Sequence, residues 1–314
     1  MPQLEACVNI RELGAAGDGV TDDTVVFEKA IAQYRSIYLP MGTYRLTRGL
    51  VLREETALAG LHCFCTRLML DDNCPGFGDP NHPRALLTAP KGGHNYVGGI
   101  SFDGGRNPGL TSVEWLAAPD SLLEDILFVH GGRTPRGRRA RNTGGQSVAP
   151  PPTQKGRDRL HTLWIHDGGA GVFKNIWSPD VWASEGILIN DTEAPGRMYL
   201  ISVEHHVENE VVLRRVANWR LVAIQTEEEL GDENACSLRL SDCRDVEFVN
   251  LFQYRVQAIE DQYPYAGYAD RCRNLRVSGQ HVFSIGPAPF ANAFLVDQKT
   301  EIRDHEIGTL IITR

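Results

Sequence analysis

Two short segments carry the residues best suited to chemistry. Ser202-Val203-Glu204-His205-His206 and Ala223-Ile224-Gln225-Thr226-Glu227-Glu228-Glu229 each hold acids, and Glu204 and Glu227 stand 23 positions apart. That interval is about one coil of a β-solenoid, whose stacked coils lie about 4.8 Å apart, so both carboxylates can emerge side by side. Two carboxylates that close do not both ionise easily. One should keep its proton near neutral pH, and glycoside cleavage needs such an acid to protonate the leaving oxygen. Adjacent backbones favour the retaining separation of about 5–5.5 Å, while long side chains can splay to the inverting one of about 6.5–9.5 Å. The plainer alternative is a solvated acidic run of Glu227, Glu228 and Glu229.

His205 and His206 point to opposite faces of a strand, so one of them shares the face of Glu204 and can hold a sugar hydroxyl or steer the carboxylate. Glu-His-His lacks the i, i+4 spacing of a helical metal site, so neither a metal nor another cofactor is expected. Aromatic residues gather around these segments: Trp177, Trp182, Trp219, Tyr254, Tyr263 and Tyr265. Sugar rings present apolar C–H faces that stack on such side chains, and Trp182 and Tyr254 are retained as candidate substrate contacts.

The elements that must position these groups are short and β-rich. Gly99–Asp103, Leu123–Phe128, Val172–Trp177, Val211–Val216, Leu238–Leu240, Val246–Phe248, Leu275–Val277 and Leu310–Ile312 recur at intervals of roughly 20–30 residues between Gly, Asn, Asp and Pro. A period in that range means stacked coils, and the long amphipathic helices of an α/β barrel are missing. The expectation is an all-β chain forming one right-handed parallel β-helix over residues 1–314. A short capping helix near the N-terminus carries Val25, Val26, Phe27, Ala30 and Ile31, with Thr21 or Asp22 as N-cap. Ser36–Pro40 and Gly42–Leu46 read as two strands about a proline-glycine turn. Residues 131–159, rich in Arg, Gly and Pro, read as a flexible insertion between coils. The last strand candidate, Thr309–Ile312, has no visible cap after it.

Composition narrows the partners. A formal net charge of -8 over 314 residues opposes nucleic-acid binding, which needs a basic surface. No apolar run reaches the roughly 18 residues of a membrane span, and Met1–Cys7 lacks the features of a signal peptide. The 7 cysteines lack zinc-site spacing. They read as buried small hydrophobes, or as one loop disulfide among Cys63, Cys65 and Cys74.

The opening run Leu13-Gly14-Ala15-Ala16-Gly17-Asp18-Gly19-Val20-Thr21-Asp22-Asp23-Thr24, followed by Tyr38-Leu39-Pro40-Met41-Gly42-Thr43-Tyr44, is similar to the N-terminal signature of the pectate-lyase-like β-helix superfamily. The Glu-His-His and Gln-Thr-Glu segments resemble those of glycoside hydrolase family 55 glucanases and of bacterial family-28-related proteins. That resemblance implies a secreted glycoside hydrolase acting on a polysaccharide, a β-glucan first of all, by inversion. It assigns the general acid to Glu227 and ordering of the attacking water to Glu204; His205, His206, Gln225 and Asp120 are retained as candidate substrate contacts. Two positions depart from it: Ala118 and Gly169 stand where the glucanases carry a water-handling Gln and Ser. These departures support an alternative in which the β-helix binds carbohydrate without cleaving it. A polysaccharide lyase is a further alternative, and a structural or tailspike role, which would predict a trimer, is another.

Overall fold

The computed structural model describes residues 6–129, 159–179, 181–228, 235–256, 264–285, 289–303 and 309–313. The expected insertion lies outside them except for Arg159, which opens strand Arg159–Ile165 and is buried. The short β-rich pieces form a parallel β-helix of about 9 coils with one short helix. Strand Gly171–Ser178 pairs in parallel with Gly196–Glu204, which pairs with the second half of the long strand Asn209–Glu228, which pairs with Arg244–Arg255. The first half of Asn209–Glu228 belongs to a second face, beside Ala183–Thr192 and Cys236–Ser241.

Parallel pairing in register stacks like on like inside the coil. Phe173, Met198, Leu221 and Phe248 form one inward column, and Ile176, Ile201, Ile224 and Leu251 form another three residues on; all are buried. Each fully buried side chain of this kind contributes about 1.5–3 kcal/mol, so the columns supply much of the cohesion between coils.

Between these two columns every strand bends at one residue in the left-handed region: Asn175 (φ 50°), Leu200 (φ 57°), Ala223 (φ 56°) and Asn250 (φ 55°). Asn tolerates this conformation, and Asn175 Nδ2 donates to Asp125 Oδ1 of the preceding coil at 2.6 Å. Leu200 does not tolerate it well, and its side chain is largely solvent-exposed. Leu200→Asn is therefore expected to stabilise the fold by about 0.5–1 kcal/mol, read as a higher urea midpoint; an unchanged or lower midpoint would refute the strain argument.

At the N-terminal end, helix Thr24–Gln33 buries Thr24, Phe27, Ala30 and Ile31, while Val25 faces water. The N-cap differs from expectation. Asp23 occupies the cap position, but its carboxylate turns back to accept the backbone N–H groups of Ala16 and Gly17, at 2.7 and 3.0 Å, and so pins the glycine-rich turn. Asp22 accepts from Thr24 N at 3.0 Å. The expected strands appear as Ser36–Leu39 and Gly42–Leu46, each paired in parallel with the next coil. At the other end Thr309–Ile312 runs antiparallel to Arg273–Ser278, and Thr300–Ile302 antiparallel to Asn292–Val296. These reversals cover backbone edges that a further coil would otherwise need to pair. All 7 cysteines are free thiols, and Cys74, Cys236, Cys243 and Cys272 are buried.

Candidate active site

Beyond the left-handed bend, two outward columns run along the helix axis. One is Trp177, Ser202, Gln225, Phe252 and His281; the other is Glu204, Glu227, Tyr254 and Phe283. Glu204 and Glu227 are register partners on adjacent strands, as the interval between them requires.

One oxygen of Glu204, Oε1, meets three donors: Trp177 Nε1 at 3.0 Å, Ser202 Oγ at 2.7 Å and Gln225 Nε2 at 3.2 Å. An acceptor held this way suits a carboxylate that orients or activates water. Glu227 accepts a short hydrogen bond from the Tyr254 hydroxyl, and His205 Nε2 lies 3.2 Å from its Oε1. Gln225 Nε2 also donates to the Tyr254 oxygen at 3.0 Å, so one amide links both carboxylates through the phenol. Burial first, then the bond to Glu227, holds the Tyr254 phenol well above its ordinary range, and it remains a donor.

His205 reaches this cluster because the strand ends at Glu204 and His205 adopts φ 64°, turning the chain. Trp182 stacks on its ring with centroids 5.9 Å apart, and is itself almost wholly buried. His205 reaches the carboxylates and His206 does not; because the strand ends at Glu204, the turn at His205 separates them rather than strand alternation. His206, expected among the substrate contacts, is buried beneath the surface. Its Nδ1 lies 2.5 Å from Glu210 Oε2, its backbone N–H donates to Glu210 Oε1 at 3.0 Å, and its Nε2 lies 3.1 and 3.3 Å from the hydroxyls of Thr162 and Ser178. This pair fixes the turn that delivers Glu204 and His205.

Burial pushes His206 down to about 3 and Glu210 well up, so both are neutral and the folded pair holds one proton. Above about pH 6.5 the unfolded pair holds none, so stability falls as pH rises, by about 1.4 kcal/mol per pH unit. Between about pH 4.5 and 6.5 folded and unfolded pairs hold one proton each and the contribution is flat; below about 4.5 the unfolded pair binds two and stability falls again. Glu210→Gln keeps the hydrogen bonds and removes the alkaline limb. Its loss of unfolding free energy from pH 6.5 to 8 is expected to be smaller than the parent's by up to about 2 kcal/mol; parallel curves would refute the neutral pair.

Asp120 is not brought to the cluster. It precedes Leu122, which aligns through Val172 with Arg197, seven residues before Glu204, at the opposite end of the strands. There it pairs with His94 at 2.8 Å. Ala118 and Gly169 share that end, and a Cβ on Gly169 would stand 2.3 Å from the Trp115 carbonyl oxygen, so packing alone demands glycine. Trp219 is core, stacked on Phe173 at 5.8 Å. Tyr265 lies on the second face, donating to Glu301 at 2.6 Å. Tyr263 and Glu229 fall outside the described residues. Glu228 is buried and paired with Arg255, so Glu227 is not part of a solvated run.

Several contributors were not singled out as site residues by the sequence, although Trp177 stands among the aromatics around the two segments and Ser202 opens the first of them. Ser202 and Trp177 hold Glu204, while Phe252, His281 and Phe283 extend the two columns, with neighbouring ring centroids 5.2–5.3 Å apart. On the other side Phe64, largely exposed, meets Trp177 edge-on at 6.3 Å. Their signal was the coil period itself, since Phe252 follows Gln225 by 27 residues. Glu204, His205 and Glu227 also form, among the described residues, a group that could hold a metal ion, with one ligand atom each within 4.8 Å of one another. A cation there would compete with the three donors already aimed at Glu204 Oε1.

Comparison with known proteins bears on the fold and on the N-terminal segment. Residues 7–68, which include the opening motif, match the family described as rhamnogalacturonase A/epimerase, pectate lyase-like. The phiAB6 tailspike, solved with three-repeated oligosaccharides of Acinetobacter baumannii surface polysaccharide, superposes with a TM-score of 0.52 at 14% identity, over 92% of this chain and 47% of that one. An iota-carrageenase complexed to iota-carrageenan fragments gives 0.50 at 12% identity, over 87% and 59%. The fold is that of the pectate-lyase-like β-helices. Within this β-helix the N-terminal segment is also similar to the preneck appendage protein of Bacillus phage PZA, 47% identical over 53 residues. That stretch is 17% of this chain and 6% of the phage protein.

Proposed function

We propose that this β-helix binds a polysaccharide along its outer face and breaks a glycosidic bond there, with Glu227 as general acid and Glu204 as the partner carboxylate. The observation that carries the reading is the register pairing of these two glutamates, joined through Gln225 and Tyr254. Glu204 accepts three donors on one oxygen and so suits the ionised role; Glu227, facing Tyr254 and His205, suits proton delivery. Exposed Phe64 and Trp177 on one side, and Phe252 with its neighbours on the other, offer apolar surface to sugar rings over several coils. The resemblance of the two motifs to family 55 glucanases makes a β-glucan the first substrate to try.

The N-terminal likeness to a phage appendage protein favours a second reading of the setting, in which the chain is carried on a particle and engages a surface polysaccharide. His205, Gln225, Trp182 and Tyr254 would then contact the same ligand. Ala118 and Gly169 lie away from the carboxylates, so they do not argue against cleavage.

The test is product release from β-1,3-glucan, mixed-linkage glucan, iota-carrageenan, polygalacturonate and a bacterial capsular polysaccharide, by the parent chain and by Glu204→Gln/Glu227→Gln. New reducing ends from the parent and none from the double variant are expected. An unsaturated, ultraviolet-absorbing product would replace hydrolysis by elimination. Retention on a glycan with no product from any of them would leave a binding protein and end the catalytic assignment.

A further inference from the structure

Before the left-handed bend, the strands that carry the glutamates present a different surface. Phe173, Met198, Leu221 and Phe248 point inward there, so the residues on either side of each point outward. One outward column is Arg197, Arg220, Glu247 and Arg276, and the other is Lys174, Tyr199, Val222 and Val249. Charge in the first column does not cancel. Glu247 lies 3.0 Å from Arg220 and 3.9 Å from Arg276, and Arg197 has no ion pair among the described residues. The acids in the turns beside this face are already paired, Asp191 with Arg215, and Glu193 and Asp245 with Arg244. Three guanidinium groups therefore face one carboxylate, and all three arginines are exposed. Arg197 and Arg220 are direct register partners, and like charges placed opposite each other destabilise a sheet. In the second column Tyr199 is half-buried, and its hydroxyl makes no hydrogen bond among the described residues. Beside it stands Leu200, largely exposed and held in the left-handed conformation that leucine tolerates poorly.

We propose that this face is a second glycan-binding track, which holds a polysaccharide bearing carboxylate or sulfate groups along the helix axis, apart from the glutamates. A guanidinium fork matches either anion with two parallel hydrogen bonds. Coils about 4.8 Å apart are spaced much as the sugars of an extended polysaccharide are, so Arg197 and Arg220 meet neighbouring units and Arg276 meets one further on. Tyr199, Val222 and Val249 run beside the arginines as an apolar strip for the C–H faces of the same sugars. The strained Leu200 adds exposed apolar surface to the edge of that strip, a conformation of the kind found where a surface serves contact rather than stability. The two tracks share strands without sharing residues, since the Ala223 bend separates Arg220 from Gln225. Binding here does not depend on cleavage by Glu204 and Glu227. A net charge of -8 disfavours a nucleic acid as the occupant, whereas a local anion site needs only this one face.

The experiment is affinity electrophoresis of the full chain through polygalacturonate, iota-carrageenan and β-1,3-glucan, in the Glu204→Gln/Glu227→Gln background so that no ligand is consumed. Retardation by at least one of the two anionic polymers is expected, and which of them retards the chain tells carboxylate from sulfate recognition. Arg197→Gln/Arg220→Gln/Arg276→Gln should weaken that binding by about tenfold or more, and Tyr199→Ala should weaken it without changing the charge. Arg35→Gln/Arg48→Gln/Arg106→Gln removes the same net charge from exposed positions on other coils and should bind like the parent. All variants are first checked for an unfolding midpoint near the parent's. No retardation by either anionic polymer overturns the proposal, as does equal loss in the two arginine triples, which would mean a general charge effect. Duplex DNA that displaces the polysaccharide at equal charge concentration also overturns it, because the face would then be a generic polyanion surface. Cleavage is scored separately on the parent chain, so a failed catalytic assignment leaves this result standing.

Discussion

Glu227→Gln is expected to lower turnover of the natural polysaccharide by about 10²–10⁴-fold while leaving the unfolding midpoint near the parent's. Glutamine can still accept from Tyr254 and sit beside His205, so what disappears is the transferable proton rather than the packing. The discriminating substrate is an aryl glycoside with a strongly acidic phenol as leaving group, which departs without protonation. On it Glu227→Gln should recover most of the parent's rate of bond breaking, because the missing acid is no longer needed. Glu204→Gln should not recover, because its carboxylate serves the other partner of the reaction whatever the leaving group. The opposite pattern would exchange the two roles, and equal loss on both substrates would mean that neither residue delivers the proton.

Much of this site was visible in the chain because a β-helix converts sequence interval into distance. The 23 residues between Glu204 and Glu227 needed only the coil length to become register neighbours. Which aromatic side chains face outward was harder. Inward and outward alternate along a strand, but the phase resets at the left-handed bend, so Trp219 before the Ala223 bend goes to the core and Trp177 after the Asn175 bend goes to the surface. Asn175 and Asn250 advertise that bend by residue type; Leu200 and Ala223 do not, and without them the columns cannot be phased. Asp120 lies apart from the cluster for a related reason: it sits in the turn before its strand, whereas the acids sit where theirs end. His206 and Glu210 form a buried pair across a tight turn; their i, i+4 interval is a helical one, and with no helix at this place the pattern gave no pointer to the pair.

Arg255→Met is expected to cost about 3–5 kcal/mol of unfolding free energy at neutral pH, the largest stability effect of any single change near the site. Arg255 donates through Nε and Nη2 to Glu228 Oε2 at 2.9 and 2.7 Å, and its guanidinium lies over the Phe290 ring at 4.0 Å. The other Glu228 oxygen accepts from Ser237 N and Oγ at 2.7 and 2.6 Å. Both ionic groups are almost fully buried. Burial raises the Glu228 carboxyl, and the arginine, its nearest charge, opposes that rise. Without Arg255 the carboxyl rises further, so the folded state of the variant binds a proton that the unfolded chain releases above about pH 4.5. The penalty is therefore smallest in acid and grows as pH increases. Glu228→Gln in the same chain removes the uncompensated charge while still accepting from Ser237, and should return much of the lost stability. Because Glu228 turns inward immediately after Glu227 turns outward, the buried pair also holds the end of the strand that aims the acid. Arg255→Met should thus lose cleavage activity even at temperatures where it stays folded, and Arg255→Met/Glu228→Gln should recover stability more fully than activity. Equal recovery of both would show that the pair holds the fold and does not aim Glu227.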